Sequence, residues 1–176
     1  MNNTMIDLET MGTGSNAAIT AIGAVKFDSS GLGDEFYRVV SLESSVDAGM
    51  VIEPSTVMWW MQQSDDARKA LCKAPTTLAQ TLIDFTDFIG DDAAGMKVWG
   101  NGASFDNVIL TNAYRAFKQQ PPWKFYNDRC YRTVKNLLGG SIELVRVGTA
   151  HNAVDDAKSQ ALHLVEIMNV IKGGVR

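Results

Sequence analysis

The stretch Met5-Ile6-Asp7-Leu8-Glu9-Thr10 decides the fold prediction, because it sets two carboxylates inside an otherwise apolar strand. Residues i and i+2 of a β-strand point to the same side, so Asp7 and Glu9 stand together. Like charges at that spacing repel each other, and burying them unpaired costs free energy. A divalent cation that prefers oxygen ligands, Mg²⁺ or Mn²⁺, relieves the repulsion. The motif therefore predicts a metal site whose other ligands come from later in the chain.

The segments that follow predict a sheet with helices packed around it. Residues 4–10, 17–27 and 35–42 have strand character and are joined by short turns, which favours an antiparallel meander. Helices are expected over 54–61, 64–71, 77–89, 104–118, 131–138 and 153–171, and short strands over 97–100 and 125–127. Strands first and then alternating strands and helices predict an α/β fold, a mixed central β-sheet flanked by α-helices, in a single domain over residues 1–176.

Composition is that of a soluble globular protein with one core. The chain has 176 residues, of which 45% are hydrophobic and 20% charged. No apolar run reaches membrane-spanning length, and the N-terminus lacks the layout of a signal peptide, so no membrane partner is expected. Cys72 and Cys130 are far apart and lack metal-type spacing, which favours a reducing, cytoplasmic location.

Charge is distributed unevenly along the chain, although the net charge is −4. Residues 107–150 carry seven basic side chains and two acidic ones. A basic region beside an acidic metal site suits a phosphate polyanion, whereas a solvated surface with uneven charge is the alternative. Arg129 and Arg132 are the candidates for phosphate contacts, with the same alternative.

A second acidic position, Asp106, follows a short apolar strand and a Gly-rich turn, Trp99-Gly100-Asn101-Gly102-Ala103-Ser104-Phe105. This pattern places Asp106 in the first turn of a helix. An acidic residue there also stabilises the helix dipole, so Asp106 alone does not indicate a site.

The third motif is His151-Asn152-Ala153-Val154-Asp155-Asp156-Ala157, which opens the last helix. Asn152 suits the N-cap and Asp155 the acidic capping position three residues later. Asp156 lies about 100° further round the helix and has no such structural role. His151 precedes the cap on a loop, where its side chain is expected to be exposed and within reach of Asp156. His163 is expected mid-helix, as a surface or packing residue.

Taken together and in this order, the motifs resemble the DEDDh 3′–5′ exonucleases of the ribonuclease H-like fold. The match is carried by 6–10, 101–106 and 151–157, and the resemblance spans residues 5–170. The Trp59-Trp60 segment and residues 5–25 look most like the phage and prophage members. Many members have a second Thr-Gly after the first motif, where this chain has Thr10-Met11-Gly12, a departure that concerns base selectivity.

The resemblance implies a role for each motif residue. Two divalent ions, Mg²⁺ or Mn²⁺, would be held by Asp7, Glu9, Asp106 and Asp156, with His151 taking the proton from the attacking water. The product would be a nucleoside 5′-monophosphate. The backbone of Glu9, Thr10 and Met11 would meet the terminal sugar or base, and Phe105 would stack on the penultimate base or else pack in the core. Of Trp59 and Trp60, one is expected in the core and the other over the substrate cleft.

The leading hypothesis is thus a metal-dependent exonuclease that acts on single-stranded 3′ ends, with DNA preferred. An exoribonuclease is the first alternative, because the same metal chemistry serves RNA and no residue identifies a 2′-hydroxyl contact. An inactive nucleic-acid-binding module is the second, and the presence of all five motif residues argues against it. The expected partner is a single-stranded nucleic acid 3′ end, and a homodimer is left open.

Overall fold

The centre of the molecule is a five-stranded mixed sheet with the strand order β3-β2-β1-β4-β5. The structure is a computed structural model and describes residues 1–138 and 142–174. The strands are β1 (Asn3–Thr10), β2 (Ile19–Asp28), β3 (Gly31–Val39), β4 (Lys97–Gly100) and β5 (Asp128–Cys130). The helices are α1 (Leu42–Asp47), α2 (Pro54–Trp60), α3 (Asp65–Ala70), α4 (Leu78–Ile89), α5 (Asp106–Ala116), α6 (Tyr131–Leu137) and α7 (Ala153–Gly174). The predicted α/β fold is confirmed.

Strand pairing brings the first motif to the middle of this sheet. β1 pairs antiparallel with β2 on one side and parallel with β4 on the other. β3 continues the antiparallel part and β5 the parallel part. The predicted meander of the first three strands is therefore correct, and the carboxyl ends of β1, β4 and β5 meet at one edge of the sheet.

Alternation along β1 divides the core between the two faces of the sheet. Ile6 and Leu8 belong to a cluster with residues of α4 and α5, whereas Met5 belongs to a second cluster with Ala157 and Ala161 of α7. Because the side-chain period of a strand is two, the carboxylates at positions 7 and 9 share the Met5 face. They therefore point towards α7, the helix that carries the third motif.

Several predicted strand boundaries are wrong: β2 begins at Ile19 and not at Ala17, and β3 begins at Gly31 and not at Glu35. β3 ends at Val39 and not at Leu42, because Ser41 caps an unpredicted helix, α1, by accepting a hydrogen bond from the Ser44 backbone N–H. Six residues give too weak a periodic signal for that helix to be read from sequence. The short strand expected at 125–127 is a 3₁₀ turn with exposed side chains, and β5 begins one residue later, at Asp128.

Helix boundaries are closer to the expected ones. The expected end of α6 at Gly139-Gly140 lies outside the described residues. His163, on α7, is a packing residue: it is 4% exposed and its Nδ1 lies 2.6 Å from the Tyr131 hydroxyl. None of the helices within the described ranges is long and apolar enough to cross a membrane.

Candidate metal centre

Asp7 and Glu9 lie at the carboxyl end of β1, on the face covered by α7. Asp7 Oδ1 accepts a hydrogen bond of 2.8 Å from Gln160 Nε2. Glu9 is 7% exposed, and its Oε1 has no hydrogen-bond partner in the described part of the chain. A buried carboxylate oxygen without a partner calls for a proton or a cation.

Asp106 opens α5 and is held against the end of β1. Its Oδ1 accepts a 3.2 Å hydrogen bond from Leu8 N, and its Oδ2 accepts a 2.9 Å bond from Asn101 N. The carboxylate approaches β4 so closely that a Cβ on Gly100 would lie 3.0 Å from Oδ2. The predicted position of Asp106 in the first turn of the helix is confirmed. Only 2% of the residue is exposed, whereas an acidic residue that merely stabilises the helix dipole can stay at the surface.

Burial raises the pKa of all three carboxyls, and repulsion from neighbouring carboxylates adds to the effect at Asp7 and Glu9. Burial raises the pKa of Asp7 well above its ordinary value, and the charges of Asp106 and Glu9 add to the effect. Burial, followed by the charges of Asp156 and Asp106, raises the pKa of Glu9 to about 8. Burial raises the pKa of Asp106 to about 7 against the opposing backbone bonds from Leu8 and Asn101. A bound cation would relieve this cost.

His151, on the loop before α7, and Asp156, in the first turn of α7, reach the same place. Asp156 Oδ2 accepts a 2.9 Å bond from His151 N, and Asp156 Oδ1 accepts a 2.7 Å bond from Arg146 Nη1. His151 has a φ of +61°, and its ring meets the Trp59 ring edge-on with centroids 5.1 Å apart. The expectation of an exposed imidazole is therefore wrong, because the tryptophans of α2 cover one side of it.

Gly23 lets α7 come this close to the sheet. It pairs with Asp7 across β1 and β2, and an added Cβ would stand 2.1 Å from the Ala153 carbonyl carbon. No side chain fits between β2 and the first turn of α7. No local sequence pattern indicates the role of this glycine, because a close approach between elements far apart in the chain leaves no periodic signal.

Glu9, His151 and Asp156 form a group suited to a metal ion, because one ligand atom from each lies within 4.8 Å of the others. Asp7 adjoins them through its charge interactions with Glu9 and Asp156. The unpartnered Glu9 oxygen and the carboxylate-rich donor set fit a hard divalent cation. The five motif residues thus come together, as the sequence predicts.

A cavity of about 590 Å³ opens over this group. It is lined by four aromatic residues, Trp59, Trp60, Phe105 and Tyr131, and by two basic ones, Lys135 and Arg146. Trp60 is 5% exposed and donates to Thr10 O at 2.9 Å, whereas Trp59 is 42% exposed. Trp60 is therefore the core residue and Trp59 the one over the cavity, which answers the question that the sequence left open.

The expected substrate-binding residues divide into two groups. Thr10 and Phe105 line the cavity, and Phe105 also packs against the core, as one of its two expected roles requires. Met11 does not line the cavity: its N–H donates to Ala18 O, its carbonyl accepts from Glu53 N, and its side chain packs on the core.

Neither arginine named as a phosphate-contact candidate lines the cavity. Arg129 donates to the carbonyls of Tyr126 and Asp128, and Arg132 donates to Asn101 O at 2.7 Å. The basic residues that line the cavity are instead Lys135 and Arg146. The only sequence feature that indicated them was their position in the basic segment 107–150.

Comparison with solved structures identifies the fold as that of the ribonuclease H-like exonucleases. Exonuclease X in complex with 5′ overhanging duplex DNA superposes with a TM-score of 0.59 at 17% identity, covering 96% of this chain and 92% of that one. The Mg²⁺- and Mn²⁺-bound form of S. pombe Pop2p superposes with a TM-score of 0.63 at 13% identity, covering 99% and 86%. Structures this distant in sequence are similar to the chain in fold alone.

Sequence comparison gives the family. Residues 2–168 match the 3′–5′ exoribonuclease Rv2179c-like domain, and the chain belongs to that family. A curated relative, the exodeoxyribonuclease of Enterobacteria phage T4, is 30% identical over 158 residues, covering 73% of this chain and 68% of the relative. The chain is therefore a 3′–5′ exonuclease, a hydrolase that acts on nucleic acid, and the similarity to a phage enzyme agrees with the predicted subgroup.

Proposed function

We propose that this exonuclease removes nucleotides singly from single-stranded 3′ ends, with DNA as its main substrate, and releases nucleoside 5′-monophosphates. The proposal is carried by one observation, the convergence of Asp7, Glu9, Asp156 and His151 on one cavity that also holds basic and aromatic side chains. In such a cavity, basic side chains would attract a phosphate, and the group that binds metal would hydrolyse the phosphodiester bond.

Asp7, Glu9, Asp106 and Asp156 would hold two divalent ions, Mg²⁺ or Mn²⁺. Bound there, the ions would supply an activated water and would offset the charge that develops on the scissile phosphate. The raised pKa values of Asp7, Glu9 and Asp106 support this role, because clustered buried carboxyls are stabilised most by a cation.

His151 would accept the proton of the attacking water. The Trp59 ring fixes one side of the imidazole, and the backbone bond from His151 N to Asp156 fixes the main chain. An imidazole is the side chain that most often serves as a general base in enzymes. The proximity of its ring to Glu9 and Asp156 makes metal ligation the rival role.

Cavity size supports a single-stranded end. A volume of about 590 Å³ is that of a pocket for one small ligand, so a terminal nucleotide fits while a base-paired end would first have to open. Opening terminal pairs costs a few kcal/mol. Arg146 and Lys135 would contact phosphates, Trp59 and Phe105 would stack on bases, and Thr10 would meet the terminal sugar.

DNA is favoured by the 30% identity to the phage exodeoxyribonuclease. RNA is the second candidate, because the family description specifies an exoribonuclease. A binding module without activity is disfavoured by the intact set of five motif residues.

Matched DNA and RNA oligonucleotides, each labelled at the 5′ or the 3′ end, test the proposal in Mg²⁺ and in Mn²⁺. We expect 3′-labelled strands to release labelled mononucleotides before 5′-labelled strands do. DNA should be cut faster than RNA, and single strands faster than blunt duplexes. Equal rates on blunt and single-stranded ends, or nicking of circular single strands, would contradict it.

Two expectations about context belong to the same proposal. A reducing, cytoplasmic setting agrees with Cys72 and Cys130, which are both free thiols. Sedimentation of the purified chain decides between a monomer and the homodimer that the sequence left open.

A further inference from the structure

Gln160 lies over the metal centre, although neither the sequence motifs nor the proposed chemistry includes it. It follows Asp156 by four residues on α7, so the two side chains share one helix face. Gln160 is 6% exposed and lines the cavity beside Asp7. A polar residue buried at that position requires an explanation.

The hydrogen bonds of Gln160 point to Asp7. Its Nε2 donates to Asp7 Oδ1 at 2.8 Å, across 153 residues of chain. Its Oε1 is buried and has no hydrogen-bond partner within the described ranges. A buried amide oxygen without a partner opposes folding, so the stability of the fold does not account for this glutamine.

Packing of α7 on the sheet does not depend on this bond either. Ala157, Ala161 and Leu164 of α7 form an apolar cluster with Met5 and Val25 of the strands. These contacts already join the two elements that Gln160 and Asp7 connect. A hydrogen bond added to a complete apolar interface changes the orientation of the groups that make it more than the strength of the interface.

Orientation is what Asp7 lacks without Gln160. The terminal torsion of an aspartate is broad, so a carboxylate without fixed partners samples many directions. The amide holds Oδ1 and leaves Oδ2 for a cation. Partners of this kind, which orient a metal ligand, typically contribute about 10- to 100-fold to metal affinity.

We propose that Gln160 is a positioning residue, which holds the Asp7 carboxylate in the orientation that binds metal. This inference rests on the proposed function, because it assumes that Asp7 is a ligand. It predicts that loss of the amide weakens metal binding without weakening the fold.

The test replaces Gln160 by methionine, which has a similar volume and no amide, in the full chain. Mn²⁺ binding is measured by titration calorimetry, and Tm is measured in chelator. We expect the Gln160→Met protein to bind Mn²⁺ about 10- to 100-fold more weakly, with a Tm equal to or above that of the wild type.

The chain offers a matched control in Gln80, whose Nε2 donates to Asp84 Oδ1 at the same 2.8 Å on an exposed face of α4. Gln80→Met removes the same kind of bond far along the chain from the motif residues. We expect it to leave Mn²⁺ affinity unchanged.

An Asp7→Asn background shows whether Gln160 acts through Asp7. If it does, adding Gln160→Met to Asp7→Asn changes Mn²⁺ affinity by less than about 2-fold, because coupled residues are not additive. Wild-type Mn²⁺ affinity in Gln160→Met, or full additivity with Asp7→Asn, would overturn the inference. Failure of the wild-type chain to bind Mn²⁺ would instead overturn the proposed function.

Discussion

The two halves of the metal centre are held in place by different means. The strand half, Asp7 and Glu9, is fixed by the ladder between β1 and β2, and within the described ranges its carboxylates accept one side-chain hydrogen bond, from Gln160. The loop half, residues 142–156, is fixed by bonds of its own, such as those from His151 N and Arg146 to Asp156. Rigid backbone fixes the first, and satisfied polar groups fix the second.

This difference indicates that the two halves have different roles. Ionisation of the two carboxyls of the strand half costs free energy without a metal ion, since burial raises the pKa of Asp7 and of Glu9. In the loop half, the carboxylates of Asp155 and Asp156 accept hydrogen bonds, and His151 is the proposed base. Changes in the strand half should therefore alter metal affinity and leave the fold intact or stabilise it, whereas changes in the loop half should alter geometry and turnover.

The largest effect is expected when either half loses a ligand. Asp7→Asn and Asp156→Asn should each lower activity by orders of magnitude at saturating Mg²⁺, because each deletes a charge from the metal centre. Their stabilities should differ. Asp7→Asn relieves repulsion and should raise Tm in chelator, whereas Asp156→Asn weakens bonds to His151 N and Arg146 and should not.

Asp92→Asn, at an exposed position, is the control and should change neither quantity. Activity near the wild-type level in both metal-centre variants would sink the assignment. Equal shifts of Tm in the two would remove the distinction between the halves.

His151→Ala tests the catalytic role of the loop half. General-base assistance is typically worth about 10²–10⁴ in rate, so kcat should fall by that range while KM and Mn²⁺ affinity change little. Loss of the edge-on Trp59 contact should cost about 1 kcal/mol of stability or less.

The rival role gives a different result. If His151 is a metal ligand, Mn²⁺ affinity falls together with kcat and excess Mn²⁺ restores turnover. Full kcat in His151→Ala would exclude both roles.

Sequence patterns were sufficient to bring the five motif residues together and to predict the antiparallel meander of the first three strands, because each depends on local spacing or on topology rules. They were not sufficient for the contacts between distant elements. Gly23 beneath α7 and Gln160 above Asp7 follow from tertiary packing, which leaves no local period. The half-buried ring of His151 has the same origin, since α2 is remote in sequence.

Gly23→Ala tests the close contact between β2 and the first turn of α7, where the two halves meet. The added methyl would meet the backbone of Ala153 at 2.1 Å, so α7 must move away from the strand half. Such overpacking typically costs about 1–3 kcal/mol, and we expect lower kcat with lower Tm. Gly95→Ala is the matched control, because its Cβ would meet no atom within 4 Å. Similar Tm and kcat in the two variants would contradict the close approach of α7.

Stability without metal should depend on pH through the strand half. Below the ordinary pKa of a glutamate, folded and unfolded chains both hold the proton. Between that value and the folded pKa of about 8, only folded Glu9 holds it, so stability falls as pH rises. Tm in chelator should decline from about pH 4.5 to 8 through Glu9, and Glu9→Gln should flatten the decline. A slope unchanged by Glu9→Gln would contradict this assignment; bound Mn²⁺ should oppose the decline, because it favours the ionised carboxyls.

The smallest effect is expected at Asp155, the neighbour of a proposed ligand. The capping box expected for it is half formed: Asn152 Oδ1 accepts a 3.4 Å bond from Asp155 N, but the Asp155 carboxylate accepts from Thr149 N, at 2.9 Å, and not from Asn152. Asn at this position keeps an acceptor for Thr149 and loses only the charge near the helix start.

Asp155→Asn should therefore cost about 1 kcal/mol or less in stability, with activity largely retained. Thermal unfolding and turnover of Asp155→Asn and Asp156→Asn, measured side by side, check this. The contrast is sharp because the two carboxylates are adjacent in sequence and differ in direction, one towards the loop backbone and one towards His151 and Arg146. Loss of activity at Asp155 with retention at Asp156 would show that the metal is held by the other carboxylate and that the loop half is read one residue out of register.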